Sequence, residues 1–386
     1  MEHINLKRLE QLKKSEYLKN SFYNAREISK VLYKYEGIVL AHLPNIMSIM
    51  VKPMQMNEAN NNTILILPMG SGKSTYFSIL CNHLKKYSLS FSGKMFESRL
   101  VKELSLEDFR YKHWFILDGI TSFLGLNTKQ REQLQGFLNS VLTDGEYDRG
   151  DGSKKITNAD ICVNIAFAKN NFDRYKRELL FHTTQDRFIT IYENFTFADR
   201  EHILRKAYEN KTAKHKVKLN IPLKSKKVDV KLPDEYKEEV IRLSKLLSSL
   251  IGKSPVRTLQ FIRKWLKGNA LLNERKEVVK DDILLFEVIM PLFYSGLENS
   301  VKQRVIYLLS YYEGKKVLGS KIKKYLMEKF GVSEIAIKKA LSELRKEGRV
   351  NYEKVTDRTI VGRGYDYFYW IGDVKSEQEY IKEVIV

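Results

Sequence analysis

The sequence predicts an α/β fold, with a mainly parallel sheet at its centre and a separate domain of helices and a strand hairpin near its C-terminal end. Three observations predict it. Short apolar runs alternate with helical patterns between Thr63 and Tyr192, which is typical of parallel strands connected by helices. One of these strands leads into a glycine-rich turn followed at once by a helical pattern. The section after Ser300 is helical first and then rich in Tyr, Thr and Gly.

The composition limits the size and the partners of the protein. A chain of 386 residues has room for two or three domains. Hydrophobic residues make up 43% and charged residues 30%, which provides for a core and excludes wholesale disorder. Lys and Arg number 67 against 47 Asp and Glu, and the formal charge is +20. This excess predicts a polyanionic partner, either nucleic acid or an acidic membrane surface.

The sequence favours a cytoplasmic protein without a membrane-spanning segment. It has no run of about 18 apolar residues, and its first residues are polar, unlike a signal peptide. The two cysteines, Cys81 and Cys162, are far apart in apolar surroundings. They exclude a disulfide framework and a clustered zinc site, and we expect two buried thiols in a reducing compartment.

The chain divides by pattern into five segments. Leucines at helical spacing among Lys and Glu predict that residues 1–36 are helical. The predicted strands of the core include Thr63–Leu67, Trp114–Leu117, Ile161–Phe167 and Arg187–Tyr192. The expected segments are an N-terminal helical segment at 1–60, an α/β core at 61–210, a basic connector and helical lid at 211–298, a domain of helices and a hairpin at 299–374, and a tail at 375–386.

The strongest motif runs from Ile64 to Thr75, where an apolar strand enters Gly70-Ser-Gly-Lys-Ser-Thr75 and a helical pattern comes directly after. This is the context of a phosphate-binding P-loop, although Leu67 stands where the full pattern has its first glycine. The glycines let backbone N–H groups surround phosphate oxygens, Lys73 reaches the terminal phosphates, and Ser74 offers its hydroxyl to Mg²⁺. The alternative is a basic turn without a ligand. The predicted ATP-binding residues are Gly70, Ser71, Gly72, Lys73, Ser74 and Thr75.

Carboxylates near this motif are candidates for two roles with the predicted cofactors, ATP and Mg²⁺: one would hold the metal ion and another would act as the base in ATP hydrolysis. The strand Trp114–Leu117 ends at Asp118, in the position of a Walker B carboxylate that holds Mg²⁺ together with Ser74. The alternative is a buried strand with a terminal Asp that caps a turn. Gly119 occupies the next position, where most P-loop proteins that hydrolyse ATP carry a glutamate. This predicts slow ATP turnover or a base from another part of the chain. Glu97 is a weak candidate for that base.

Three further residues are candidates for catalytic roles. Asn170 comes after the strand Ile161–Phe167 and is expected to sense phosphate by holding the attacking water. Arg187 begins the next predicted strand and is expected to reach the γ-phosphate of a neighbouring subunit, with an ordinary surface arginine as the alternative. Arg257 lies near the start of a helix with Ser254 as its cap and is expected to contact the phosphates from the lid.

This set of motifs, in this order, resembles the AAA+ ATPases, and most of all the minichromosome maintenance helicases and the archaeal origin-recognition ATPases. The segment 255–265 looks like the sensor-2 helix of the former, and the segment 271–282 looks like the part of that family's chain just after this helix. The resemblance covers roughly residues 60–290 and implies a ring-forming homo-oligomer, with a hexamer as one arrangement. It also implies that Asp148–Lys155 is a β-hairpin that grips DNA with Lys154 and Lys155. The lack of a zinc module and of a long OB-fold region favours a compact relative from a plasmid, a virus or an archaeal mobile element.

The C-terminal section is similar to a winged helix-turn-helix domain. Helices are expected at 301–312, 319–329 and 334–348, followed by strands Val350–Val355 and Tyr365–Ile371. The third helix has an apolar face and a basic face, and the hairpin carries arginines, so the resemblance implies DNA binding through the helix and the wing. The alternatives are protein contacts or a solvated basic face, and the aromatic cluster at 365–370 is expected to be strand core. The predicted DNA-binding residues here are Lys338, Ser342, Arg345, Lys346, Arg358 and Arg363.

The excess of positive charge is concentrated in two of these segments. Residues 211–231 and residues 315–349 each have a net charge of +7, which favours nucleic acid over a membrane as the partner. The leading hypothesis is an ATP-dependent DNA-binding AAA+ ATPase in replication that unwinds or remodels DNA. The alternatives are a slowly hydrolysing ATP switch that acts as a replication initiator or transposition regulator, and a DNA-binding regulator whose nucleotide site is only structural.

Overall fold

The computed structural model describes most of the chain and separates it into two compact units. The described residues are 6–40, 43, 61–68, 70–117, 122, 126–150, 155–168, 187–192, 197–209, 217–222, 228–251, 253–293, 301–312, 315–330, 332–357, 359 and 364–371. Unit 1 holds residues 1–237 and 260–296, and unit 2 holds residues 238–259 and 297–386. The segment 238–259, assigned by pattern to the lid, therefore clusters with the C-terminal helices.

The N-terminal residues are helical, as the leucine spacing predicts, but the helix is interrupted. Helices α1 (Leu6–Leu12), α2 (Lys19–Leu32) and α3 (Glu36–Leu40) succeed one another, with a single 3₁₀ turn at Glu16–Leu18. The hydroxyl of Ser15 accepts a hydrogen bond from the N–H of Tyr17 and so starts a new helical segment there. Helix α2 ends at Tyr33, whose φ of 53° takes the chain out of the helix.

Unit 1 has the predicted α/β organisation. Its central sheet is wholly parallel, where the sequence predicts a mainly parallel one. Its five strands lie in the order β2-β3-β6-β1-β7. A short antiparallel pair, β4 with β5, stands apart from it. The strands are β1 (Asn62–Leu67), β2 (Ser88–Phe91), β3 (Arg110–Ile116), β4 (Tyr147–Asp148), β5 (Lys155–Ile156), β6 (Asp160–Ala168) and β7 (Phe188–Tyr192).

Helices cover both faces of this sheet. Within unit 1 the further helices are α4 (Lys73–Leu84), α5 (Glu97–Glu103), α6 (Thr128–Thr143) and α7 (Phe197–Glu209). Trp114 and Phe115 are successive residues of β3 and point to opposite faces. Phe77 of α4 packs on Phe115, with ring centroids 5.0 Å apart, while Phe109 packs on Trp114 and against Phe137 of α6. Strand β1 is buried along its whole length.

Three helices come after the core: α8 (Lys237–Ile251), α9 (Pro255–Leu272) and α10 (Lys280–Ile289). A buried polar network joins α9 and α10 within unit 1. Arg275 donates to both carboxylate oxygens of Asp282, at 2.9 and 2.6 Å, and Asn269 donates to Asp282 at 2.7 Å. The hydroxyl of Ser21 in α2 donates to Asn269, so the network also fixes the N-terminal helix.

Unit 2 contains all the elements predicted near the C-terminus and one additional short strand. They are α11 (Val301–Tyr311), β8 (Val317–Leu318), α12 (Gly319–Phe330), α13 (Glu334–Lys346), β9 (Asn351–Val355) and β10 (Asp366–Trp370). The strands form an antiparallel sheet in the order β8-β10-β9. Ser333 caps α13, and Gly348, with a φ of 64°, lies just past its end. Arg349 donates to the carbonyls of Ser249 and Leu250 at the end of α8.

In the part of the chain that the structure describes, no helix is long and apolar enough to cross a membrane. Both cysteines are free, and Cys162 is fully buried while Cys81 is half-buried. Burial raises the pKa of the Cys162 thiol to about 12.

Candidate functional site

The loop between β1 and α4 has the backbone that its glycines predict. Gly70 and Gly72 have φ values of 70° and 80°, in the left-handed region that side chains with a Cβ avoid. Helix α4 begins directly at Lys73, with Gly72 as an N-cap that lacks a side chain. The first N–H groups of a helix have no partner within it, so they remain available to an oxyanion.

Ser71 adds an independent sign that this loop holds a ligand. Its side chain is about nine-tenths buried, and its hydroxyl oxygen has no hydrogen-bond partner among the described residues. A buried hydroxyl without a partner costs about 1–3 kcal/mol. The residues present therefore fit a phosphate group, because such a group would supply the missing acceptor and could meet the N–H groups at the start of the helix.

Lys73 is the first residue of α4. Its ammonium donates to the carbonyl oxygen of Pro68, at the other end of the loop, over 2.9 Å. The lysine thus folds across the loop. Ser74 and Thr75, the next two residues of α4, are exposed. The structure brings the six predicted ATP-binding residues together around the start of one helix.

Helix α2 supplies a wall of this site that sequence reasoning missed. A Cβ built on Gly72 would lie 2.9 Å from Cδ2 of Leu32, so the last turn of α2 packs directly against the loop. Leu32 is buried. The signal available in the sequence was only that Leu32 continues the apolar spacing of the N-terminal helix.

The strand order indicates where the other predicted groups lie relative to the loop. Strand β6 lies between β1 and β3, so the ends of β1 and β3 are about 10 Å apart at the usual strand spacing. Parallel strands end at the same edge, and ligands bind outside that edge. Asp118 comes after β3, and Asn170 comes after β6; both lie outside the described residues, as does Gly119. Among the described residues, no cluster of His, Cys, Asp or Glu is suited to hold a metal.

Arg187 lies at the end of the sheet opposite the loop, where the parallel strands begin. It comes just before β7, whose first residue pairs with the first residue of β1. Strand β1 is six residues long, so Arg187 is roughly 17–20 Å from the loop of its own chain. Its Nε donates to the hydroxyl of Thr143, at the end of α6, over 2.5 Å. Arg187 therefore cannot reach the loop between β1 and α4 of the same chain.

Arg257 occupies the first turn of α9, after the cap-and-proline sequence that predicts the start of this helix. That turn belongs to unit 2. The proposed role of Arg257 in phosphate contact stays a prediction.

The predicted hairpin is present at its base. Asp148 pairs with Lys155, which is exposed, while Lys154 lies outside the described residues. Glu97 at the start of α5 is buried, and the hydroxyl of Tyr147 donates to its carboxylate over 3.1 Å. Arg149 lies 3.7 Å from the same oxygen. Glu97 is thus engaged with the hairpin and is not free to serve as a base at the loop.

The candidates on α13 separate into two groups. Lys338, Ser342 and Lys346 are exposed, with Lys338 paired to Glu334 at 3.0 Å. Arg345 instead lies against the sheet, with its guanidinium 4.0 Å from the ring of Tyr352 and 4.2 Å from that of Tyr367. Ile337, Leu341 and Leu344 are buried, as the apolar face predicts. Arg358 and Arg363 lie outside the described residues.

Comparison of the chain with models of known protein families finds no match. Comparison with curated proteins finds no significant match either.

Proposed function

We propose that this protein is an ATP-binding, DNA-binding ATPase of the AAA+ kind. One observation carries the proposal, namely the strand–loop–helix unit of β1 and α4 with its two left-handed glycines and the unpartnered hydroxyl of Ser71. The position of β1 inside a parallel sheet supports it, because the loop opens at the edge where such sheets bind ligands.

In this proposal, different residues of the chain bind the phosphates, bind the metal ion and orient water. Mg²⁺-ATP supplies the phosphoanhydride bond that is cleaved. The N–H groups of residues 70–75 hold the phosphates, and Lys73 exchanges the carbonyl of Pro68 for a phosphate oxygen. Ser74 and Asp118 hold the metal, and Asn170 orients water.

Arg187 acts on a neighbouring copy. Its place at the far end of the sheet supports a role between subunits, since it is too distant from its own loop. In such a homo-oligomer, each copy would complete the site of the next with its Arg187. Within its own chain, the side chain of Arg187 is held by its hydrogen bond to Thr143.

A nucleotide-binding titration of the full chain tests the proposal. Lys73→Ala is expected to weaken binding of a fluorescent ATP analogue at least tenfold and to abolish hydrolysis. Lys86→Ala is the matched control, since Lys86 is an exposed lysine just beyond the end of the same helix. If Lys73→Ala binds ATP as tightly as Lys86→Ala, the nucleotide site is not at this loop and the proposal is wrong.

We propose that the protein binds DNA with α13, as the recognition helix of a winged-helix domain. The order helix, short strand, helix, helix and two-stranded hairpin in unit 2 supports this fold, and the exposed lysines of α13 supply the charge. Replacing Lys338 and Lys346 with Ala is expected to weaken duplex binding and to reduce the slope of log K against log salt by about two, because two phosphate contacts are lost. An unchanged slope would show that these lysines touch no phosphate.

A slowly hydrolysing switch is the second candidate. Glu97, the weak substitute for the missing Walker B glutamate, is buried and bonded to Tyr147, which favours slow turnover. ATP-dependent assembly without unwinding of a forked duplex would select the switch over the helicase. A DNA-binding regulator with a structural nucleotide site would instead assemble and bind DNA unchanged after Lys73→Ala.

A further inference from the structure

One face of the sheet in unit 2 carries an array of tyrosines. Tyr352 pairs with Tyr369, and Lys354 pairs with Tyr367, so strand alternation places these four side chains on the same face. Tyr365, just before β10, extends the array through its contact with the ring of Tyr367. We use the name tyrosine face for Tyr352, Tyr365 and Tyr367 together with Arg345 and Lys354.

The rings of the tyrosine face contact one another and are held by cations. The ring centroid of Tyr367 is 6.0 Å from that of Tyr352 and 5.8 Å from that of Tyr365. The guanidinium of Arg345 contacts both Tyr352 and Tyr367, and the ammonium of Lys354 lies 4.6 Å from the ring of Tyr365. Cations over ring faces are attracted by the quadrupole of the ring, so the array is ordered before any ligand arrives.

The outer members of the array are open to solvent. Tyr365 is 62% exposed and Tyr352 is 47% exposed, whereas Tyr369 on the same face is buried as core. The two carboxylates on these strands are elsewhere, because Glu353 and Asp366 point to the opposite face. There Glu353 pairs with Lys316, and Asp366 accepts from the N–H of Ser320. The tyrosine face is therefore aromatic and cationic, without a carboxylate from either of its strands.

We propose that the tyrosine face binds single-stranded nucleic acid by stacking unpaired bases on Tyr352 and Tyr365, with Arg345 and Lys354 beside the phosphates. Exposed aromatic rings interleaved with basic side chains are the recurring device for this ligand, because every base has a π-face and every nucleotide a negative charge. The proposal extends the proposed DNA-binding function and rests on it.

The chemistry of the face favours single strands over duplex. In a duplex the bases are stacked on each other and present only their edges in the grooves, so a ring cannot stack on them. The exposed lysines of α13 suit the phosphates of a duplex, whereas the rings need bases that are already unpaired. The two surfaces are thus separable by mutation.

The test is a fluorescence-anisotropy titration of the full chain with labelled (dT)20, (U)20 and a 20-base-pair duplex. Tyr365→Leu and the double variant Tyr352→Leu/Tyr365→Leu are expected to bind both single strands at least tenfold more weakly, with duplex affinity within twofold of the wild type. Tyr365→Phe, which keeps the ring, is expected to bind like the wild type. Tyr208→Leu is the matched control, because Tyr208 is 74% exposed on α7 of the other unit.

A second measurement needs no variant. A single strand containing 2-aminopurine is expected to lose fluorescence on binding to the wild-type protein, because the base stacks on a tyrosine. Single-strand affinity unchanged by the double variant, or 2-aminopurine fluorescence unchanged on binding, would overturn the inference and leave ATP and duplex binding standing. An equal loss of duplex and single-strand affinity would also overturn it. Wild-type protein that binds ATP but neither form of DNA would refute the DNA-binding function as well.

Discussion

The loop between β1 and α4 allows a sharp prediction, because two glycines share the same backbone strain but differ in their surroundings. Gly70 and Gly72 both have positive φ values, so alanine at either position costs about 1–2 kcal/mol of folding free energy. A Cβ at position 70 would meet nothing within 4 Å, whereas one at position 72 would lie 2.9 Å from Cδ2 of Leu32.

The difference between the two variants isolates the contact with α2. Overpacking typically costs about 1–3 kcal/mol, and here the lower end applies because the clashing atom is the end of a flexible side chain. We therefore expect Gly70→Ala to lower the free energy of unfolding by about 1–2 kcal/mol and Gly72→Ala by about 2–3 kcal/mol.

Urea denaturation of the two single variants, of Leu32→Ala and of Gly72→Ala/Leu32→Ala measures the contact directly. Leu32→Ala alone is expected to cost about 2–5 kcal/mol, because Leu32 is buried. In the double variant the clash is gone, so the combined loss is expected to be about 1 kcal/mol or more smaller than the sum of the single losses. Additive losses, or equal stability of Gly70→Ala and Gly72→Ala, would refute the packing of α2 against this loop.

Three further predictions concern groups outside the loop. Asp282→Ala is expected to lower the free energy of unfolding by about 3–5 kcal/mol, measured by urea denaturation, because it removes a fully buried carboxylate and leaves the guanidinium of Arg275, which is only 16% exposed, without its partner; a loss below about 1 kcal/mol would contradict this. Burial would raise the pKa of Asp108, but hydrogen bonds from Lys112 and Ser105 prevail and hold that pKa below its ordinary value. The stability gained from Asp108 is thus present above about pH 4 and lost as the pH falls below it, so the deficit of Asp108→Asn in thermal unfolding should shrink between pH 6 and pH 3. Cys162 is expected to resist iodoacetamide at pH 8 until the protein unfolds, as followed by mass spectrometry, and rapid labelling of the native protein would contradict its burial.

The sequence predicted β1, β6 and β7 well because each is a buried apolar run, whereas β2 is short and only partly buried. Thr63–Leu67 and Ile161–Phe167 lie within β1 and β6. The order of the strands could not be predicted, since it depends on how the connections cross the sheet rather than on any single run. The position of Arg187 does not depend on that order, because Arg187 precedes β7, β7 is parallel to β1, and the loop follows β1.

The turn between β1 and α4 was predicted to the residue, because a left-handed glycine and a helix start leave a local signature. The contacts of its neighbours were not. The engagement of Glu97 with Tyr147 joins positions fifty residues apart, and only the folded chain brings them together. The sequence could therefore suggest Glu97 as a weak candidate for the base but could not show that its carboxylate already accepts a hydrogen bond from Tyr147.

Arg345 shows why helical periodicity assigns a face but not a partner. With about 3.6 residues per turn, Arg345 lies at the margin of the arc that holds Lys338, Ser342 and Lys346. At that margin the long side chain can turn either to solvent or to the neighbouring sheet. It turns to the sheet, where its guanidinium contacts the exposed ring of Tyr352. The surface of α13 that is free to meet a duplex is therefore narrower than its sequence suggests, and the arginine counted there contributes instead to the tyrosine face.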